Sequence, residues 1–315
     1  MGLSQDTSCK PLVSVVVVSY NSSKTIIETL ESILNQSYHP IELIITDDCS
    51  KDNTARLCKD WLDANKNRFE EAYFISDVTN KGTTCNIDKG VKAAKGHWVK
   101  TIAGDDLLNP NAIEEFVKFA ESNNCKICCC DLELFSTEGQ IPKVLINQYE
   151  HYFSCVEENW REQRKRIASE YFIPGPGLFF LRQLYEELGG YNLKYPMYEE
   201  YDFAYRTLCL GYKIYALPQK LVKYRFSVNS LSAGRKGIVG NVQLFMDRKN
   251  VFYDIQKQEL IKQGKLLKVW SIILYYKRGD IELKYGKDSK AAHCSIILKW
   301  LDPLAYYEKI KRVIS

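Results

Sequence analysis

The chain has 315 residues, of which 45% are hydrophobic and 26% charged, the proportions of an ordinary globular protein of one large domain or two modest ones. Seventeen Gly and nine Pro are too few for collagen-like or low-complexity segments, and a net charge of +4 is too small to hold nucleic acid by charge alone. No nucleic-acid partner is therefore expected.

The opening MGLSQDTSCKP is polar, without an apolar leader, and Asp6 stands where a myristoylation signal needs Ser or Thr. Residues 12–19, LVSVVVVS, form a continuous β-branched run, as in a strand covered on both faces. Residues 24–35 follow with apolar positions at helical spacing. Then come a strand at 41–46, a helix over Asp52–Leu62, a short strand at 72–75 and a helix over Thr83–Ala94 that Gly96 stops. A strand at 97–102 leads to Gly104-Asp105-Asp106, Pro110 opens a helix continuing over 111–121, and residues 126–134 are a further strand. This alternation makes the first 135 residues an α/β unit.

Eleven cysteines do not suggest disulfides. The count is odd, and Cys125, Cys128, Cys129 and Cys130 fall in a run that reads as a buried strand, so a reduced, cytoplasmic protein is expected. CKICCCD is not read as a zinc site, on the ground that three adjacent cysteines cannot all turn inward on one strand.

Beyond 135 the regularity weakens. Residues 150–171 read as a helix plus a loop, 177–183 as a strand, 184–188 as a short helix, Glu199–Leu210 as a helix, and 212–217 and 221–226 as strands. Helical patterns occupy about 241–262, 265–277 and 290–300. Residues 236–315 hold 16 Lys and Arg against 8 Asp and Glu, whereas residues 1–235 hold 27 against 31. Leu266–Tyr276 is apolar but too short to span a bilayer, which leaves a core or an interfacial helix.

Ligands of open α/β sheets bind at the carboxyl ends of the strands. Here those ends carry Ser19-Tyr20-Asn21, Asp47-Asp48 and Asp105-Asp106, two acidic pairs placed on adjacent strand tips. Each pair alone is also an ordinary turn or helix cap. Together they call for hydrogen-bond donors, such as a base and ribose, or for a hard divalent cation. No glycine-rich phosphate loop or GxSxG elbow is present, and the four histidines are scattered. Glu199, Glu200 and Asp202 open a helix, where acidic side chains suit the helix field; three in four positions exceed capping needs and offer a general base.

The segments LVSVVVVSYNSSKTIIETLESILNQSYHPIELIITDDCSKDNT, NKG at 80–82, KAAKG at 92–96, IAGDDLLNP at 102–110, GPGLFFLRQLYEELGGYN at 175–192 and YEEYDFAYRTLCLGYKIYALP at 198–218 resemble family 2 inverting glycosyltransferases of the bacterial surface-polysaccharide type. The resemblance covers about residues 11–230. It implies a GT-A fold: a mostly parallel central sheet flanked by helices. A catalytic domain at 1–235 would comprise a nucleotide-binding half at about 11–135 and an acceptor half at about 136–235. Residues 236–315 would be a basic helical extension.

By the same resemblance, a nucleotide-diphosphate sugar, most simply a UDP-hexose or UDP-N-acetylhexosamine, would donate to an oligosaccharide or lipid-linked acceptor such as an O-antigen or capsule unit. Ser19, Tyr20 and Asn21 would line the nucleotide site, Asp48 would receive the base N–H with Asp47 behind it, and Asp105 and Asp106 would hold the ribose and a Mn²⁺ or Mg²⁺ ion. Glu200 takes the place of the catalytic base, flanked by Glu199 and Asp202. Lys81 and Arg225 would meet phosphate charge.

Four positions depart from the pattern: Ala103 for the first Asp of Asp-x-Asp, Glu200 for an Asp, Ser227 for a late His, and Ile87 where an Arg is common. These departures keep a catalytically silent glycan-binding or sugar-nucleotide-binding protein in view. A nucleotidyltransferase is a further alternative, although SYNSS supplies no triphosphate loop. The basic, aromatic C-terminal part suits either packing on the catalytic domain, an oligomer contact, or a peripheral site on the anionic inner face of the cell membrane.

Overall fold

The computed structural model describes residues 10–137, 139–141, 158–227, 238–304 and 306. The opening nonapeptide, residues 150–157 of the expected helix-plus-loop, and the C-terminal residues from 307 lie outside the described residues. Strands β1 (Val13–Ser19), β2 (Ile41–Asp47), β3 (Glu71–Ser76), β4 (Trp98–Ala103), β5 (Leu107–Leu108), β6 (Ile127–Phe135), β7 (Leu178–Leu181) and β8 (Tyr215–Arg225) form one sheet in the order β3-β2-β1-β4-β7-β6-β8-β5. The sheet is mixed. Its β3-β2-β1-β4 half is parallel; β7 then runs antiparallel to both β4 and β6, β8 is parallel to β6, and β5 closes the far edge antiparallel to β8.

Helices α1 (Ile26–Leu34), α2 (Thr54–Asn65), α3 (Thr83–Ala93) and α4 (Ala112–Ser122) connect the first strands. Helices α5 (Trp160–Ile167), α6 (Arg182–Glu187) and α7 (Glu199–Cys209) belong to the second half. At the C-terminus, α8 (Val242–Val251) passes through a π-helical turn, Phe252–Gln256, into α9 (Lys257–Lys262), followed by α10 (Leu266–Tyr285), α11 (Lys290–Cys294) and α12 (Ile297–Trp300).

The valine run of β1 shows why the sheet is covered on both faces. Successive side chains point to opposite sides. Val13, Val15 and Val17 join Leu30, Ile33 and Phe116 in one core, and Val16 joins Val91, Phe203 and Leu208 in the other. Each such side chain contributes about 1.5–3 kcal/mol when fully buried. The cysteine run follows the same rule and is the buried strand expected from sequence. Cys128, Cys129 and Cys130 are all buried, because Cys128 and Cys130 enter the first core while Cys129 enters the second.

The two strands expected at 212–217 and 221–226 are one strand, β8. Its pairing with β6 slips around Asp131, so that Cys130 faces Leu217 and Asp131 faces Lys220. Pro218, which has no N–H to donate, falls in that slip. The two-residue β5 carries too short a pattern to read from sequence. The helix expected at 265–277 runs on to Tyr285, and the one at 290–300 breaks around Ser295.

Helix α8 belongs to the same packing as the sheet: Val251 is fully buried in the second core, with Leu244 and Ile255 against it. A third, smaller cluster holds Phe245, Phe252, Leu260, Val269 and Tyr276.

Helix α3 sits so close to the sheet that a Cβ on Gly90 would lie 2.4 Å from Val16 Cγ1 and 2.9 Å from Thr46 Cγ2. Gly90→Ala should therefore destabilise by about 1–3 kcal/mol through overpacking, read as a lower denaturant midpoint at unchanged slope. A gain of about 1 kcal/mol, the usual result in an open helix, would contradict this close approach.

Candidate active site

The loops after β1 and β2 are laced together at the carboxyl edge. Asp47, 1% exposed, accepts the Ser50 N–H at 2.9 Å and the Ser50 hydroxyl at 2.5 Å. The buried Ser19 hydroxyl lies 3.0 Å from Thr46 O and 3.2 Å from Asp47 Oδ1. Asn21, in the left-handed region at φ 51°, donates its N–H to Ser50 Oγ and accepts the Lys51 N–H, both at 2.8 Å. Asn tolerates that conformation because its side chain bonds locally. These bonds hold the loops and leave the Tyr20 ring exposed beside them.

Asp48 faces the turn before α3. Its two carboxylate oxygens accept the N–H groups of Lys81 and Gly82, each at 2.8 Å. The chain then continues to Thr84, whose N–H donates to Pro196 O at 3.0 Å and whose hydroxyl donates to Tyr195 O at 2.6 Å. The Lys81 ammonium lies 3.4 Å from Asp77.

The second acidic pair lies beyond β1, which separates β2 from β4, so the two strand tips are not adjacent as expected from sequence. Asp106 is 1% exposed; its Oδ1 accepts the Arg225 N–H at 2.9 Å, while Oδ2 is buried with no hydrogen-bond partner among the described residues. Burial, together with the Asp105 charge, pushes Asp106 well above the usual carboxylate range. Burial also raises Asp105, with Arg225 opposing. Arg225 is itself buried: Nε donates to Asp105 O at 2.7 Å, Nη2 pairs with Glu28 at 2.7 Å, and the guanidinium lies 4.5 Å from the Phe135 ring centre.

An orphaned buried carboxylate oxygen beside a second carboxylate fits a hard divalent cation. Among the described residues no group of three His, Cys, Asp or Glu could hold an ion. Such a site suits Mg²⁺ or Mn²⁺ bound through one or two carboxylates, with substrate phosphates and water completing the shell.

The third cluster opens α7. Glu199 and Glu200 share a hydrogen bond, and Glu199 Oε2 lies 3.2 Å from the Thr84 hydroxyl. Burial, then the neighbouring Glu200 charge, pushes Glu199 up to about 8. Burial raises Glu200 too, with Arg248 and the Glu199 bond opposing. Asp202 turns away: its carboxylate pairs with Arg206 at 2.6 Å and accepts from Asn192 at 3.2 Å, and Arg206 binds Leu188 O and Gly190 O.

Several residues that sequence reasoning passed over complete this cluster. A Cβ on Gly175 would lie 3.2–3.3 Å from Glu200 Cγ, Cδ and Oε1, so the glycine leaves room for that carboxyl. The fully buried Lys100 donates to Thr101 O and to Pro176 O, both at 2.6 Å, and so ties the Gly175-Pro176-Gly177 turn to β4. From α8, the buried Asp247 accepts the Met197 N–H at 2.7 Å; Asp254 in the π-helical turn accepts from Lys194 and from the Tyr195 hydroxyl, each at 2.7 Å. The segment before the two glutamates is thus held from both sides. A glycine-proline-glycine triplet and a lysine inside an apolar strand were the available signals.

Of the four departures, Ala103 is exposed, Ile87 is buried in the second core, and Ser227 is half-buried just past β8. Residues 14–189 match the family model for glycosyl transferase family 2. The chain belongs to that family. The chain is 29% identical over 130 residues, 41% of its length, to the succinoglycan biosynthesis protein ExoO of Rhizobium meliloti (strain 1021), and the match spans 36% of ExoO. Two solved structures share its GT-A fold. One is TarS 1–349 of S. aureus in complex with UDP-GlcNAc (TM-score 0.60, 15% identity, 87% of this chain and 73% of that one). The other is the mannosyltransferase PcManGT of Pyrobaculum calidifontis with GDP-Man and Mn²⁺ (TM-score 0.55, 16% identity, 95% and 88%). Among the described residues of the glycosyltransferase, no helix is long and apolar enough to cross a membrane.

The raised Glu199 value makes stability depend on pH. The folded chain holds that proton to about 8 and the unfolded chain releases it near 4.5. The contribution is therefore fully present below 4.5 and is lost as pH rises through 8. Glu199→Gln, which stays neutral, should gain stability relative to wild type between pH 6 and pH 9 in denaturant titrations. An unchanged difference across that range would show that Glu199 is not held protonated.

Proposed function

We propose that the protein is an inverting glycosyltransferase that moves a hexose or N-acetylhexosamine from a UDP-sugar onto a saccharide acceptor of a bacterial surface polysaccharide. The observation that carries this reading is the pairing of two buried carboxyl clusters through one turn. Lys100 in β4 holds Pro176 O, and Gly175 of the same turn abuts Glu200. The donor names of the solved structures, UDP-GlcNAc and GDP-Man, and the polysaccharide role of ExoO support it.

In this reading Asp48, its own oxygens fixed by two amides, accepts from the nucleotide base, and the exposed Tyr20 covers that base. Ser19, Asn21 and Asp47 hold the loops that shape the pocket. Asp105 and Asp106 hold Mn²⁺ or Mg²⁺, which when bound neutralises charge on the leaving diphosphate. Lys81 adds a cation on the same side, and Arg225 supports the acidic pair from beneath. Glu200 takes the proton from the acceptor hydroxyl as that oxygen attacks the anomeric carbon from the face opposite the diphosphate. One displacement gives inversion. Glu199 keeps its proton and donates to Glu200, and Asp202 fixes the turn behind them. The acceptor in this reading is lipid-linked.

Two measurements test this. Release of nucleoside diphosphate from UDP-GlcNAc, UDP-glucose and GDP-mannose should require Mn²⁺ or Mg²⁺, and should stop with EDTA or with Asp106→Asn in a folded protein. Full turnover of Asp106→Asn in chelator would remove the metal assignment. For the base, Glu200→Gln should lower kcat by about 10²–10⁴-fold with little change in donor KM, while Glu199→Gln costs far less. The reverse ranking would make Glu199 the base.

A further inference from the structure

The face of α10 away from the third core cluster carries large apolar side chains that stand exposed among the described residues. Leu266, Leu267 and Trp270 are each more than half exposed, as are Ile297, Trp300 and Leu301 of α12 and its end. These two groups form one surface. Trp270 Nε1 donates to Leu301 O at 3.0 Å, and the Ser271 hydroxyl donates to Asp302 at 2.9 Å. On its other side α10 is anchored, with Val269 and Tyr276 packed on Phe245, Phe252 and Leu260. The exposed groups therefore do not serve the core.

The charge around this surface is mainly positive, with Glu259 and Glu170 the acids on the side of Lys262 and Lys268. Residues 262–270 and 296–304 contain Lys262, Lys265, Lys268 and Lys299 against a single acid, Asp302, which already accepts from Ser271. Lys262 has a partner in Glu259, whereas Lys265 donates only to the neutral Ser169 hydroxyl. A second copy of this chain docking face to face would bring like charges together. A surface offering both an apolar layer and negative charge matches better. Tryptophans with an apolar body and a polar N–H, flanked by long lysines, are suited to the boundary between headgroups and acyl chains.

We propose that this surface, centred on Trp270 and Trp300, docks the protein onto anionic lipid membranes. Of the segment Leu266–Tyr276, Val269 and Tyr276 belong to the core, whereas Leu266, Leu267 and Trp270 belong to this surface together with Ile297 and Leu301. Docking here is independent of sugar transfer, and its test uses no catalytic readout.

The full chain is sedimented with vesicles of phosphatidylcholine alone or with about one third phosphatidylglycerol, at low and high salt, and its oligomeric state is measured by light scattering. Binding to the anionic vesicles alone is expected, weakening as salt screens the lysines. Trp270→Ser with Trp300→Ser should lower the partition coefficient at least about tenfold. Lys265→Gln, Lys268→Gln and Lys299→Gln together should lower it about a hundredfold. All these positions are exposed or half-exposed, and unchanged melting temperatures confirm that the variants are folded. Val78→Ser, an exposed apolar position elsewhere, should leave binding unaltered. No binding at low salt, binding that survives the tryptophan changes, or a dimer that those changes dissolve would each overturn the proposal.

Discussion

Two like-charged carboxyl pairs, Asp105 with Asp106 and Glu199 with Glu200, each place one member out of water, Asp106 and Glu199, with the other half-buried beside it. Burying one such group without partners is unfavourable, and burying two side by side is worse. Much of the surrounding structure answers that constraint. Arg225 lies under the first pair, giving its amide to Asp106 and its guanidinium to the Asp105 carbonyl. The second pair sits at the start of α7, where the helix field favours negative charge, and Glu199 lies within reach of the Thr84 hydroxyl. Lys100, a cation with no exposure at all, lies in the strand that ends at the first pair and binds the turn that touches the second.

How much of this was legible depends on range. β1 to β4 and α1 to α4 came through because each is a local pattern: a β-branched run, a 3.6-residue spacing, a stop at Gly96. The acidic pairs stood out for the same reason, as neighbours in sequence at strand ends. What stayed hidden was made by distant partners. Nothing around Asp106 says that Arg225, more than a hundred residues on, supplies the only hydrogen bond to its carboxylate among the described residues. Nothing in a lysine within an apolar strand names the Pro176 carbonyl. The two-residue β5 is defined entirely by pairing with β8.

Composition set the last eighty residues apart as a basic extension, and part of that stretch behaves otherwise. α8 places Val251 in the second core and gives Asp247 to the Met197 amide, so the sheet and the glutamate-bearing helix are packed on it directly. Farther along, α10 to α12 bury little of their outer surface. The basic character and the exposed tryptophans belong to this outer part, and the inner helix is as ordinary in charge as the sheet it covers.

The two amides that hold Asp48 begin a short stretch of chain which, two residues later, holds the turn leading to Glu199 through Thr84. Mutational energetics should register this continuity. A substitution that merely shifts Asp48 also moves the support of the glutamate pair. Its effect and that of a change at Glu199 are then not independent quantities. Groups sharing one hydrogen-bonded network typically couple by about 0.5–3 kcal/mol. In this fold Asp48 and Glu199 cannot be assigned separate free energies from single substitutions; only the full double-mutant cycle has meaning for them.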